Sequence, residues 1–94
     1  MSSPTCLLAI DQGTTSTRVI VWNSQGRNLG SAALELRQYY PKPGWVEHDP
    51  EEIWSALAGI VPEALTQAKV KPSDIAAIGV TNQRETVLFW DRST

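Results

Sequence analysis

The sequence predicts an α/β fold in which a mixed sheet carries a helix on one face. Two short apolar runs, the second rich in β-branched residues, open the chain, an amphipathic stripe with capping residues fills its middle, and a further apolar run returns after the stripe. Strands, a helix and a returning strand make a layered α/β domain.

Cys6 to Ile10 is a continuous apolar run bounded by Asp11-Gln12-Gly13, which suits a strand covered on both faces. The polar Thr14-Thr15-Ser16-Thr17 follows, then Val19-Ile20-Val21-Trp22, whose β-branched content marks a second strand. Asn23-Ser24-Gln25-Gly26 is a turn cluster. After it Ala32, Leu34 and Leu36 alternate with Ala33, Glu35 and Arg37, the period of a half-buried strand. Three strands with short connections read as a β-meander. Pro41, Pro43 and Gly44 then make the aromatic stretch from Tyr39 to Trp45 a loop of fixed shape.

Asp49-Pro50-Glu51-Glu52 is a helix start: Asp49 suits the N-cap, Pro50 the first turn, and Glu52 the acid of a capping box. Ile53, Trp54, Leu57, Ile60, Val61, Ala64, Leu65 and Ala68 form the apolar stripe. Pro62 interrupts it, so the helix either kinks there or ends early. Lys71-Pro72-Ser73-Asp74 breaks the chain, and Ile75 to Val80 is another apolar run of strand length. Thr81 to Glu85 is a polar turn, Thr86 to Trp90 a further strand, and Asp91 to Thr94 the start of a hairpin loop. An apolar strand met at the end without a partner predicts a truncated domain.

Composition narrows the function classes. The chain has 94 residues, 41% hydrophobic and 19% charged, without a biased tract. A net charge of -2 with scattered Lys and Arg lacks the basic footprint of nucleic-acid binding. The single cysteine, Cys6, lies in an apolar run and reads as a buried thiol in a reducing compartment. The first apolar run is too short for a signal-peptide core or a membrane span, so a soluble cytoplasmic protein is expected. Four tryptophans, Trp22, Trp45, Trp54 and Trp90, read as core and loop anchors. Trp45 is expected to pack the Pro-Gly loop onto the domain.

Asp11 to Arg18 has the parts of a phosphate-gripping turn. Gly13 allows a sharp bend and close approach to a phosphate. Backbone amides and the hydroxyls of Thr14, Thr15, Ser16 and Thr17 can donate to phosphate oxygens, and Arg18 adds a charge-assisted donor. Asp11 can hold Mg²⁺ through water, since that ion binds proteins through few carboxylates. A polar hairpin would use the same residue types. The stretch exceeds the two to five residues of a hairpin loop, and an Asp at the end of a buried strand is costly without a partner. It is neither a Walker A loop nor a dinucleotide fingerprint.

Arg84-Glu85 offers a second constellation: a rigid fork of donors beside an acceptor, matched to two neighbouring hydroxyls of a polyol. A surface ion pair is the plain alternative on charge alone. His48, the only histidine, lies before the helix cap and reads as structural or surface rather than catalytic.

A buried strand ending in Asp-Gln-Gly-Thr-Thr-Ser and followed by a hairpin resembles the first phosphate loop of the sugar kinase, heat-shock protein 70 and actin superfamily. Asn82-Gln83-Arg84-Glu85-Thr86, with the stretch from Tyr40 to Pro50, resembles the FGGY carbohydrate kinases and, among them, those that act on glycerol. Kinases of that family for xylulose or gluconate carry different residues after the corresponding strand. Thr17 stands where many relatives have Ser.

The resemblance implies a ribonuclease H-like α/β fold with a mixed sheet. It implies that residues 1–94 are the N-terminal part of the first of two domains, the second being absent. It further implies ATP and Mg²⁺ as cofactors, glycerol as substrate, glycerol 3-phosphate as product, and a homo-oligomeric full-length protein. Thr14, Thr15, Ser16 and Arg18 would contact the nucleotide, Thr14 also the phosphorylated product, Asp11 the metal, and Arg84 and Glu85 the glycerol. The aspartate base of the family would lie later in the chain, leaving this segment inactive alone. A non-enzymatic actin- or chaperone-like nucleotide-binding module and another FGGY sugar kinase are the alternatives.

Overall fold

A computed structural model describes residues 5–94. The first three apolar segments pair with their neighbours in sequence, as short connections require. Strands β1 (Cys6–Gln12), β2 (Ser16–Trp22) and β3 (Asn28–Glu35) form the antiparallel meander. Helix α1 (Pro50–Ala68) then carries the chain back, and β4 (Ile75–Thr81) joins the other side of β1 in parallel. A parallel partner needs such a crossover. The sheet order is β3-β2-β1-β4.

The register places Leu8 opposite Val21, Val19 opposite Ala32, and Gln12 opposite Thr17. Side chains on that face meet α1. Cys6, Leu8, Val19, Val21 and Ala32 pack with Ile60 and Ala64 of the helix as one core. Cys6 is a buried free thiol, as expected. The helix crosses closely because its buried seam, Ala56–Ile60–Ala64, is built mostly of alanine. Gly30 of β3 completes the fit: a Cβ there would stand 2.5 Å from the backbone nitrogen of Ala68. A glycine inside a strand often marks such an approach.

Asp49 caps α1, accepting from the Glu51 amide at 2.9 Å. Glu52 does not close a capping box; its Oε1 accepts from the Tyr39 hydroxyl, which ties the preceding loop to the helix. The helix continues through Pro62. It ends with Lys69 in the left-handed region, and the Val70 amide reaches back 3.2 Å to the Leu65 carbonyl, an arrangement that satisfies terminal carbonyls. A 3₁₀ turn, Pro72–Asp74, leads into β4.

Several expectations fail, each because tertiary neighbours rather than local pattern set burial. Trp54 and Trp90 are not core anchors: Trp54 is 68% and Trp90 74% exposed, while Trp22 is half-buried. Trp45 does not pin its loop to the domain but stacks under the Lys42 ammonium, 4.7 Å from the ring centre. Thr86 to Trp90 forms no strand, because no neighbouring strand supplies its ladder bonds. The apolar β4 is covered on neither face beyond its start; Ile78 is 59% and Val80 67% exposed, because α1 lies over β2 and β3.

Candidate functional site

The parallel pairing of β1 and β4 decides where the two motifs meet. Asp11 lies in register with Thr81, so the loop after β1 and the segment after β4 leave the same end of the sheet. In open α/β sheets, ligands bind outside the carboxyl ends of strands.

The first loop is shorter than its composition suggests. Asp11 and Gln12 belong to β1, and Ser16 to Arg18 belong to β2, leaving Gly13, Thr14 and Thr15 as a three-residue connection. The length argument against a hairpin therefore fails: the motif is built on a hairpin. Gly13 closes it, its amide donating 2.9 Å to the Ser16 carbonyl. A Cβ on Gly13 would press within 3.1 Å of that oxygen. The Thr15 carbonyl accepts from the Leu36 amide at 2.8 Å, and the Thr14 carbonyl from Gln38 Nε2 at 2.5 Å. With its carbonyls held from behind, the loop leaves the Thr14 and Thr15 amides without a backbone acceptor. Backbone amides left free on a turn are groups that an anion can use.

Thr14, Thr15 and Arg18 are exposed and Ser16 half-buried, so these groups are open to a ligand. Thr17 is not one of them. It is fully buried, and its hydroxyl donates 2.8 Å to Gln12 Oε1 inside the core. Strand alternation turns it away from its neighbours Ser16 and Arg18. Three hydroxyls, not four, face outward. Asp11 is also exposed, so the desolvation argument for a metal partner does not apply to it. It shares a face with its register partner Arg18. Among the described residues no cluster of three metal-ligating side chains forms. A single accessible carboxylate beside a loop of hydroxyls and free amides fits Mg²⁺, which keeps most of its waters and binds proteins through few carboxylates.

Asn82 to Thr86 forms a turn pinned by the Thr86 hydroxyl, 3.0 Å from Gln83 Oε1 and 3.1 Å from the Arg84 carbonyl. Arg84 and Glu85 are exposed, and Glu85 has a φ of 54°. That left-handed geometry costs a non-glycine residue about 1–2 kcal/mol. The strained turn leaves two adjacent side chains open to solvent.

The loop before α1 was recognised from its prolines, but its partners were not. Tyr39 and Glu47 exchange backbone bonds of 2.9 and 2.8 Å, closing the Pro-Gly-Trp segment into a small hairpin. The closure brings His48 beside Gln38: His48 Nε2 lies 2.8 Å from Gln38 Oε1, and Nδ1 lies 3.2 Å from Gln83 Oε1. Half-buried and bonded on both ring nitrogens, His48 has the structural place expected of it. The roles of Gln38 and Gln83 were missed, since periodicity carries no signal for side-chain bonds that span loops. Two surface hollows, along Tyr40 to Val46 and between Leu36 and the start of α1, are lined by no residue of either motif.

A mixed sheet with a phosphate-type hairpin and a polar segment at neighbouring strand ends defines a ribonuclease H-like sugar-kinase module. Residues 6–94 match the N-terminal domain of the FGGY family of carbohydrate kinases, and the chain belongs to that family. It is 56% identical over its whole length to a glycerol kinase of Deinococcus radiodurans, of which it covers 19%. A structure of Plasmodium falciparum glycerol kinase with ADP superposes with a TM-score of 0.86 at 41% identity, covering all of this chain and 19% of that one. A xylulose kinase from Rhodospirillum rubrum superposes at 0.84 with 29% identity, over 94% of this chain and 18% of that one. The chain thus spans about a fifth of the length of the curated relatives it matches. No helix among the described residues is long and apolar enough to cross a membrane.

Proposed function

We propose that this chain supplies the first phosphate loop and part of the polyol site of an enzyme that transfers phosphate from ATP to glycerol, giving glycerol 3-phosphate. The observation that carries the reading is the shared exit of the Thr14 loop and the Arg84-Glu85 segment from adjacent parallel strands. Phosphoryl transfer needs donor and acceptor held side by side, with positioning and charge neutralisation supplying most of the catalysis.

In this reading Thr14, Thr15, Ser16 and Arg18 grip nucleotide phosphates. Thr14 also reaches the transferred group, and Asp11 holds Mg²⁺ through water. The metal, when bound, neutralises charge on the phosphate oxygens. Arg84 donates to, and Glu85 accepts from, neighbouring glycerol hydroxyls. The choice of glycerol over another sugar rests on Asn82 to Thr86 and on the high identity to glycerol kinases.

The reading extends to a cytoplasmic, homo-oligomeric full-length protein. Residues 1–94 are then the incomplete N-terminal part of its first domain. They are inactive alone, because Asp11 and Glu85 are committed to metal and diol and no other carboxylate stands ready to take the hydroxyl proton.

The test is the full-length protein that carries this segment, assayed with glycerol, xylulose and gluconate. Glycerol should be the preferred substrate. Arg84→Ala should raise its KM roughly 10- to 100-fold, the loss expected for charge-assisted bonds, and leave the KM for ATP nearly unchanged. Preference for another sugar, or a glycerol KM indifferent to Arg84, would overturn the assignment.

A further inference from the structure

We propose that His48 is a positioning residue that couples the nucleotide loop to the glycerol segment, so that a ligand at one strengthens binding at the other. The inference rests on the functional reading above and adds a coupling device to it.

The two loops leave neighbouring strands, and a side-chain chain joins them behind the ligand face. Gln38 Nε2 donates to the Thr14 carbonyl at 2.5 Å and to the Leu36 carbonyl at 3.1 Å. Both partners are acceptors only, so the Gln38 amide can face them just one way, and its Oε1 must receive a donor from the other side. That donor is His48 Nε2–H, at 2.8 Å. The ring in its neutral form then presents a lone pair at Nδ1 to the Gln83 amide 3.2 Å away. Turning the Gln83 amide end for end preserves its outline and directs its NH₂ group to Nδ1 and to Thr86 Oγ1. The Thr86 hydroxyl, released from Gln83, donates to the Arg84 carbonyl at 3.1 Å.

Donors run from Gln83 through His48 and Gln38 to the Thr14 carbonyl, and from Gln83 through Thr86 to the Arg84 carbonyl, so an unbroken line of bonds joins the turn set to grip glycerol to the loop set to grip phosphate. The ends are exposed, whereas Gln38, His48 and Gln83 are half-buried. A ligand that orders Thr14 therefore fixes Gln38 and His48, and with them the turn bearing Arg84 and Glu85. The second ligand meets a segment already ordered and loses less conformational entropy on binding.

The experiment is isothermal titration calorimetry of glycerol into the full-length protein, with and without a non-hydrolysable ATP analogue and Mg²⁺. The ratio of the two affinities measures the coupling. The wild type should show a ratio of about 5-fold or more, and His48→Ala a ratio of about 1. His48→Gln, whose amide keeps a donor toward Gln38, should recover part of it. Gln83→Ala cuts the same line and carries the same expectation should His48→Ala fail to fold. A wild-type ratio of about 1, or a His48→Ala protein that loses thermal stability yet keeps its ratio, overturns the proposal and leaves the kinase reading standing. Failure of the wild type to bind glycerol at all overturns the kinase reading itself.

Discussion

Gly30 and Thr17 show how single residues fix the packing. The helix backbone passes so close to β3 that a methyl group on Gly30 would meet three backbone atoms within 2.9 Å. None is a flexible side-chain end, so relief requires moving α1 away from the sheet. We expect Gly30→Ala to destabilise the protein by about 1–3 kcal/mol, in the range of overpacked cores. Urea unfolding checks this, and an unchanged midpoint would show that the helix yields freely. Thr17 makes the complementary point. Its hydroxyl belongs to a run that looks like phosphate chemistry, yet it is buried against Gln12. Its neighbours Thr15 and Ser16 carry the same chemistry outward because they lie beyond that buried register position.

At the scale of elements, the start of α1 is held by a contact that the capping pattern does not foresee. Tyr39 donates its hydroxyl to Glu52, and the other Glu52 oxygen, Oε2, is buried without a partner. The hydrogen bond to the Glu52 carboxylate raises the Tyr39 pKa above its ordinary 10.0, with burial adding to it and the nearby Arg37 guanidinium opposing it. A group that holds its proton more tightly when folded contributes stability below its unfolded pKa and loses it as pH rises through the folded value. The stability difference between wild type and Tyr39→Phe should therefore be constant near neutrality and disappear in alkaline solution from about pH 10 upward. Chemical denaturation across that range would measure it; a difference that stays flat through tyrosine ionisation would sink the explanation. The same bond anchors the loop carrying His48, so α1, the Pro-Gly-Trp hairpin and the two strand-end loops share one support.

At the scale of the whole molecule, the sheet is finished on one side and open on the other. The helix covers β2 and β3, while β4 presents Ile78 and Val80 and a free backbone edge. Val87, Phe89 and Trp90 beyond it are more than 70% exposed. An apolar edge strand is a template for pairing with another chain. Purified residues 1–94 should associate with themselves as concentration rises, and Val80→Lys should weaken the association. Sedimentation velocity would decide, with a monomer at every concentration counting against it. Thr86 to Trp90, a strand by composition, does not pair with that edge and so forms no strand, since a ladder needs two segments side by side.

The meander, the Asp49 cap, the start of the helix and the return strand could be read directly, because local hydrophobic period and turn chemistry reflect short-range constraints, whereas the passage of the helix through Pro62 could not. Asp11, Thr14, Thr15, Ser16, Arg18, Arg84 and Glu85 could be named as site candidates because their types match phosphate and polyol chemistry. Tertiary structure alone decided what those residues share. Parallel pairing of β1 with β4 brought two motifs some seventy positions apart in the sequence to one end of one sheet. Alternation within β2 removed Thr17 from the outward set, and loop closure set His48 between Gln38 and Gln83. The physical reason is range: periodicity and capping act over a few residues, whereas register and burial depend on segments that meet only when the chain has folded.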